Sequence, residues 1–349
     1  MVLQLLRGKD GRLSAYAPTE GAVERWTEER PGGPDWTGPV RLAVPGLTTC
    51  SVGQGADGYV HLMGLRRKPA ADDQVDVEVV HATQFQTGRP LTAWHSLGTP
   101  HPTDRRKAGR VTLVSTVVGR DGAVHVFVRN AGTGISARRQ DAKGKWSGWV
   151  DFKGKDVVDG LSGIATAAGR VEFLAPTTGG ALRWYMNEPG GGLKRGEDLP
   201  WKPQPGSCAG AQTAADTLTH FWRDAATGEV LAYRAGDGAE AISLGGEAGS
   251  GPVAVLQAPV DGHDCTVLAQ REPAAGRLSV AAYPAQDESA GVWWTPTGSP
   301  GLSDPALALD GFGRVVLAAL GPDRRLCVAR QKTSEPGLAL DAWYTVPGR

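Results

Sequence analysis

Short apolar runs alternate with breaks rich in glycine, proline and aspartate along the whole chain, and the rhythm is plainest from Arg120 to Phe152, RDGAVHVFVRNAGTGISARRQDAKGKWSGWVDF. Val124, Val126 and Val128 alternate with His125, Phe127 and Arg129, a period of two that sends successive side chains to opposite faces of a strand. Asp121-Gly122 supplies the turn before this run, because glycine tolerates positive φ and aspartate bonds its own backbone. Gly132 and Gly134 break the run, Ile135 to Gln140 begins another, and a polar turn from Asp141 to Lys145 leads to Trp146-Ser147-Gly148-Trp149-Val150-Asp151-Phe152. Upstream, Val111 to Val118 is β-branched and nearly uncharged, as expected of a strand buried on both faces. Four strands in about fifty residues describe one blade of a β-propeller.

The same order recurs from end to end. Asp10-Gly11 and Asp57-Gly58 are the corresponding turns in the first two copies, which close on Trp36 to Leu42 and Leu91 to Leu97. Pro39 replaces the second tryptophan of the first copy, and lacking an N–H it calls for an edge position. Arg66 to Gln74 reads as a long charged connection projecting from the rim, and Pro100 to Gly109 as a polar loop. First strands begin near residues 2, 47, 110, 161, 208, 252 and 304, giving blades at about 1–45, 46–99, 100–154, 155–201, 202–249, 250–299 and 300–349. The expectation is an all-β, seven-bladed β-propeller of four antiparallel strands per blade, one domain over 1–349. Unit one starts with an inner strand and unit seven ends with an outer one, so the ring closes without a shared velcro strand.

Composition narrows the function classes. Gly 49 and Pro 24 with 40% hydrophobic residues fit a turn-rich β protein, glycine being about twice its usual share. Lys+Arg 37 balances Asp+Glu 37 with no concentrated basic surface, which argues against nucleic acid as a partner. The start, MVLQLLRGKDGRL, does not read as a secretory signal, and no apolar run approaches the ~18 residues of a membrane helix. Four scattered cysteines, Cys50, Cys208, Cys265 and Cys327, offer neither a disulfide framework nor a CxxC zinc site. A cytoplasmic setting follows, with leaderless export as the alternative; no membrane partner, metal or cofactor is expected.

The run AVHVFVRN, followed by ISARRQ and WSGW, resembles the repeat of bacterial seven-bladed propeller lectins, the group that includes the Photorhabdus fucose-binding lectins. Unit three matches best, units one, two and seven in part, and units four to six mainly in strand rhythm. The resemblance implies shallow, calcium-independent sugar sites in grooves between adjacent blades, several per chain. Only Trp146-Ser147-Gly148-Trp149 is complete in this sequence.

Sugar recognition needs a flat aromatic surface with polar groups converging beside it. Trp94, Trp149, Trp294 and Trp343 hold one position in their units, and Trp36 and Trp146 an earlier one. Such rings either stack on a ligand or fill the space between blades. Trp146 and Trp149, three apart in a strand, are expected on opposite faces, so that one of them alone is buried in a given interface. A second column, Ser14, His61, His125, Glu172, Thr219, Thr266 and Val316, is polar among apolar neighbours and reads as an inter-blade network. Its functional alternative has His61, His125 and Glu172 contacting ligand from three consecutive blades. No catalytic residue is assigned, because the G-x-S-x-G, H-E-x-x-H and P-loop patterns are all missing. The leading reading is a lectin-like propeller for a glycan or small-molecule ligand. A scaffold for a protein partner, and an enzyme acting at the mouth of the central channel, are the alternatives.

Overall fold

A computed structural model describes residues 2–70, 74–236, 239–249, 251–272 and 276–348. They form seven sheets of four antiparallel strands, each sheet ordered first to fourth along the chain. The first strands, Gln4–Arg7, Leu47–Gln54, Thr112–Val118, Ser162–Ala165, Ala209–Ala214, Ala254–Val260 and Ala306–Leu309, stand around a central channel of about 460 Å³. Among the described residues, no helix is long and apolar enough to cross a membrane.

Local chemistry sets the hairpins. Gly11, Gly58 and Gly122 sit at φ +80°, +76° and +78°, where a side chain would be strained. The aspartates before them accept the N–H two residues on: Asp10 from Arg12 at 3.2 Å, Asp57 from Tyr59 at 2.9 Å and Asp121 from Ala123 at 3.1 Å.

Alternation then builds the ring. Val124, Val126 and Val128 join Met63, Leu65 and Val79 of blade two, while Phe127 on the opposite face joins Phe173 of blade four. The Phe127 and Phe173 rings stack at 3.9 Å between centroids. Every other seam has a corresponding apolar cluster, so each sheet is covered on both faces by its neighbours.

Blades seven and one close the ring face to face, and no strand passes from one sheet to the other. Leu5, Leu13 and Trp26 pack against Val316, Ala318 and Leu326. Arg330 crosses this seam to the fully buried Glu28 carboxylate at 2.7 Å and to the Gly33 carbonyl at 2.7 Å. Trp36 Nε1 donates to the Tyr344 hydroxyl at 3.1 Å. Pro39 lies in a fourth strand, Trp36–Ala43, at the sheet's outer edge, where its missing N–H costs no ladder bond.

Several local expectations change. The charged stretch from Arg66 is strand as far as Pro69, paired with Val75–Gln84, so the hairpin extends where a projecting loop was expected; residues 71–73 lie outside the described residues. The closing strands are short: His95–Gly98 and Val150–Lys153 replace the longer runs read from the tryptophans. The loop before blade three contains one helical turn, Arg105–Ala108, capped by Asp104.

Candidate functional site between blades two and three

The WSGW segment does not alternate as a strand. Trp146 makes a single bridge to Gln140, residues 147–149 are irregular, and regular pairing resumes at Val150. Consequently Trp146 and Trp149 both pack into the seam between blades two and three, correcting the expectation of opposite faces. The Trp149 indole N–H donates to the Leu97 carbonyl of blade two at 3.0 Å, and Arg138 donates to the same oxygen at 2.5 Å. The Trp146 ring meets His81 edge to face, 5.4 Å between centroids, and has the Arg138 guanidinium 5.8 Å from its centroid.

Beside Trp149 the seam opens into a cavity of about 370 Å³. The connection from blade two supplies Pro100, His101, Lys107 and Arg110; the hairpin after Val124–Arg129 supplies Asn130, Ala131 and Gly132; Ser136, Val150 and Asp151 complete the lining. Asn130 is the keystone of this floor. Its Oδ1 accepts from Gly132 at 2.9 Å and Gly134 at 3.2 Å, and its Nδ2 donates to Ser136 at 3.1 Å and Asp151 at 3.4 Å. His101 Nε2 accepts the Ala131 N–H at 3.3 Å, which puts the imidazole proton on Nδ1. Burial and then the Lys107 charge lower the His101 pKa, so the ring is neutral at pH 7. Burial acts to raise the Asp151 pKa, but bonds from Lys153 outweigh it and keep the carboxylate ionised. One aromatic wall, a neutral imidazole, two cations and one carboxylate thus converge on a shallow pocket. Sequence reading missed all of these except Trp149, because they lie on loops whose approach no periodicity encodes.

Pairing registers locate the same place in other blades. Ser136 pairs with Asp151 and Val128; in blade two Val80 correspondingly pairs with Ser96 and Gly64. Trp94 therefore matches Trp149, and Arg66 matches Asn130. Arg66 donates to Glu78 at 2.7 and 2.9 Å, and Lys68 lies 2.9 Å from the same oxygen. Burial acts to raise the Glu78 pKa, yet hydrogen bonds from Ser96, Lys68 and Arg66 hold it at about 2. Blades six and seven keep the ring with a different polar set: Trp294 donates to the Leu244 carbonyl at 2.9 Å and Trp343 to Thr297 at 3.0 Å, while Pro296 and Thr345 stand at the place of Asp151, and Ser279 and Cys327 at the place of Ser136.

The second column points into the seams, and its members do not meet. His61 faces blade three, His125 blade four and Glu172 blade five, so they cannot share one ligand. His61 Nδ1 lies 3.1 Å from His81 Nε2, and His81 Nδ1 lies 3.1 Å from His95 Nε2. Glu172 accepts from Arg183 at 2.5 and 2.9 Å and from the fully buried His220 at 2.9 Å. Thr266 departs from the column: it shares the face of Leu268, which packs backwards on blade five. No group of three or more metal-ligating side chains gathers among the described residues. In the axial channel, Asp159 is the single carboxylate among the described lining residues.

No family model and no curated protein matches the chain. Solved structures do. The chain is similar to the BP39L lectin of Burkholderia pseudomallei, at TM-score 0.74 and 13% identity over 99% of this chain and 98% of that one. It is also similar to AofleA of Arthrobotrys oligospora, at TM-score 0.55 and 11% identity over 86% and 87%. The fucose-specific lectin of Aleuria aurantia matches at TM-score 0.51 and 12% identity over 86% and 96%. At these identities the likeness is one of fold.

Proposed function

We propose that the chain binds carbohydrate non-covalently in grooves between adjacent blades, with the pocket at Trp149 as its principal site and the place at Trp94 as a second. The carrying observation is the 370 Å³ pocket in which a half-buried indole face stands beside Arg110, His101, Lys107 and Asp151. A ring of this kind packs on the C–H face of a sugar while the polar groups take its hydroxyls. Solved structures of the same fold include a fucose-specific lectin and the SapL1 lectin in complex with α-methyl fucoside, which supports the same class of ligand here. Blade two repeats the arrangement, with Arg66 and Glu78 offering donor and acceptor beside Trp94. Blades six and seven use the equivalent indoles to pin the seam.

A glycan array followed by calorimetry tests this reading. Saturable binding that is lost in Trp149→Ala, with circular dichroism unchanged, is the expected result. An array without hits, and no heat from monosaccharides at millimolar concentration, overturns it.

A further inference from the structure

Charge is unevenly matched around the Trp149 pocket. Lys107 Nζ has Asp104 at 3.5 Å, and Asp151 is engaged by Lys153 at 2.9 Å. Arg110 is exposed and lines the pocket, and its guanidinium forms no ion pair or hydrogen bond with any described residue. His101 adds no opposing charge: Lys107 and Arg110 both act to keep its proton off, against Asp104 and Asp151. The pocket therefore presents a guanidinium with both of its donor edges available, next to an aromatic wall. A guanidinium fork matches a planar carboxylate in a bidentate pair, which a neutral sugar does not provide. At the place in blade two, by contrast, Arg66 is already paired with Glu78.

We propose that the pocket between blades two and three selects an acidic saccharide, a pyranose bearing a carboxylate, with Arg110 as the specificity-determining residue. This rests on the carbohydrate reading of the same pocket and adds the charge of the ligand. The Arg110 side chain is solvent-exposed, so removing it leaves the seam's packing intact. Exposed pairs are weak individually, and the selectivity expected is about two- to five-fold at low salt, shrinking as salt is added.

The test compares methyl glucuronide, methyl glucoside and acetate on the wild type and on Arg110→Gln, by calorimetry at 20 mM and 500 mM NaCl. Tighter binding of the glucuronide than of the glucoside, levelled by Arg110→Gln and by high salt, is the expected result. Equal binding of the two glycosides overturns acid selectivity while leaving the carbohydrate reading standing. A preference that persists in Arg110→Gln overturns the assignment to Arg110. Acetate binding as tightly as the glucuronide marks a plain anion site and overturns the saccharide selectivity. Binding of none of the three overturns this inference, and the glycan array then decides the reading beneath it.

Discussion

His81 should make the protein acid-labile in a defined window. It is 2% exposed, and both of its ring nitrogens face another imidazole at 3.1 Å, His61 on one side and His95 on the other. A neutral imidazole donates at one nitrogen and accepts at the other, which suits a chain of three; a protonated one must donate at both. Burial, and then the charges of His61 and His95, hold its pKa at about 3 against 6.5 in an open chain. The unfolded chain therefore takes up a proton first as pH falls. The stability is complete above pH 6.5 and is lost progressively toward pH 3. At pH 4 the loss from this residue alone is about 3 kcal/mol. His125, held at about 4 chiefly by burial, adds to it in the same direction. Urea denaturation at pH 7 and pH 4, followed by tryptophan fluorescence, should show His81→Gln losing about 3 kcal/mol less than wild type between the two conditions. The same loss in both proteins refutes the reasoning.

Two further outcomes follow from the seams. Arg330→Met leaves the Glu28 carboxylate buried without its cation, and should cost about 3–5 kcal/mol in urea denaturation, partly restored in the double variant with Glu28→Gln. Burial pushes the Cys50 thiol up to about 12, so at pH 8 it should react with a disulfide reagent far more slowly in the native protein than in urea, as read by absorbance.

The blade count and the closure were legible because both rest on short-range chemistry. Strand alternation and Asp-Gly turns repeat without needing any knowledge of what lies opposite. Alternation also placed Ser14, His61, His125, Glu172, Thr219 and Val316 on one face of their strands. Thr266 fell out because the pairing register, which matches Gln270 to Val128, puts Val267 at the place of His125; Thr266 is one residue off, and one residue reverses the face. The WSGW segment misled for a related reason: glycine and serine let it leave strand geometry, so counting by twos no longer applied. The pocket was legible only through Trp149. His101, Lys107 and Arg110 arrive on an inter-blade connection, and Asn130 at a hairpin, where contact depends on how two blades meet rather than on any spacing within one. The blade-two match to this place, Arg66 and Glu78, emerged only from the pairing registers, since in the sequence Arg66 opens a stretch that reads as a charged loop and Glu78 lies beyond it.

The central claim, that a sugar docks against the indole between blades two and three, is tested most directly by following tryptophan indole N–H signals in a ¹H–¹⁵N spectrum during titration with a glycoside, with Trp149→Phe assigning its own peak. Docking there should give a saturable shift of the Trp149 signal while the buried Trp26, Trp184 and Trp222 stay fixed. A Trp149 signal that does not move while another ligand-dependent shift saturates would contradict it.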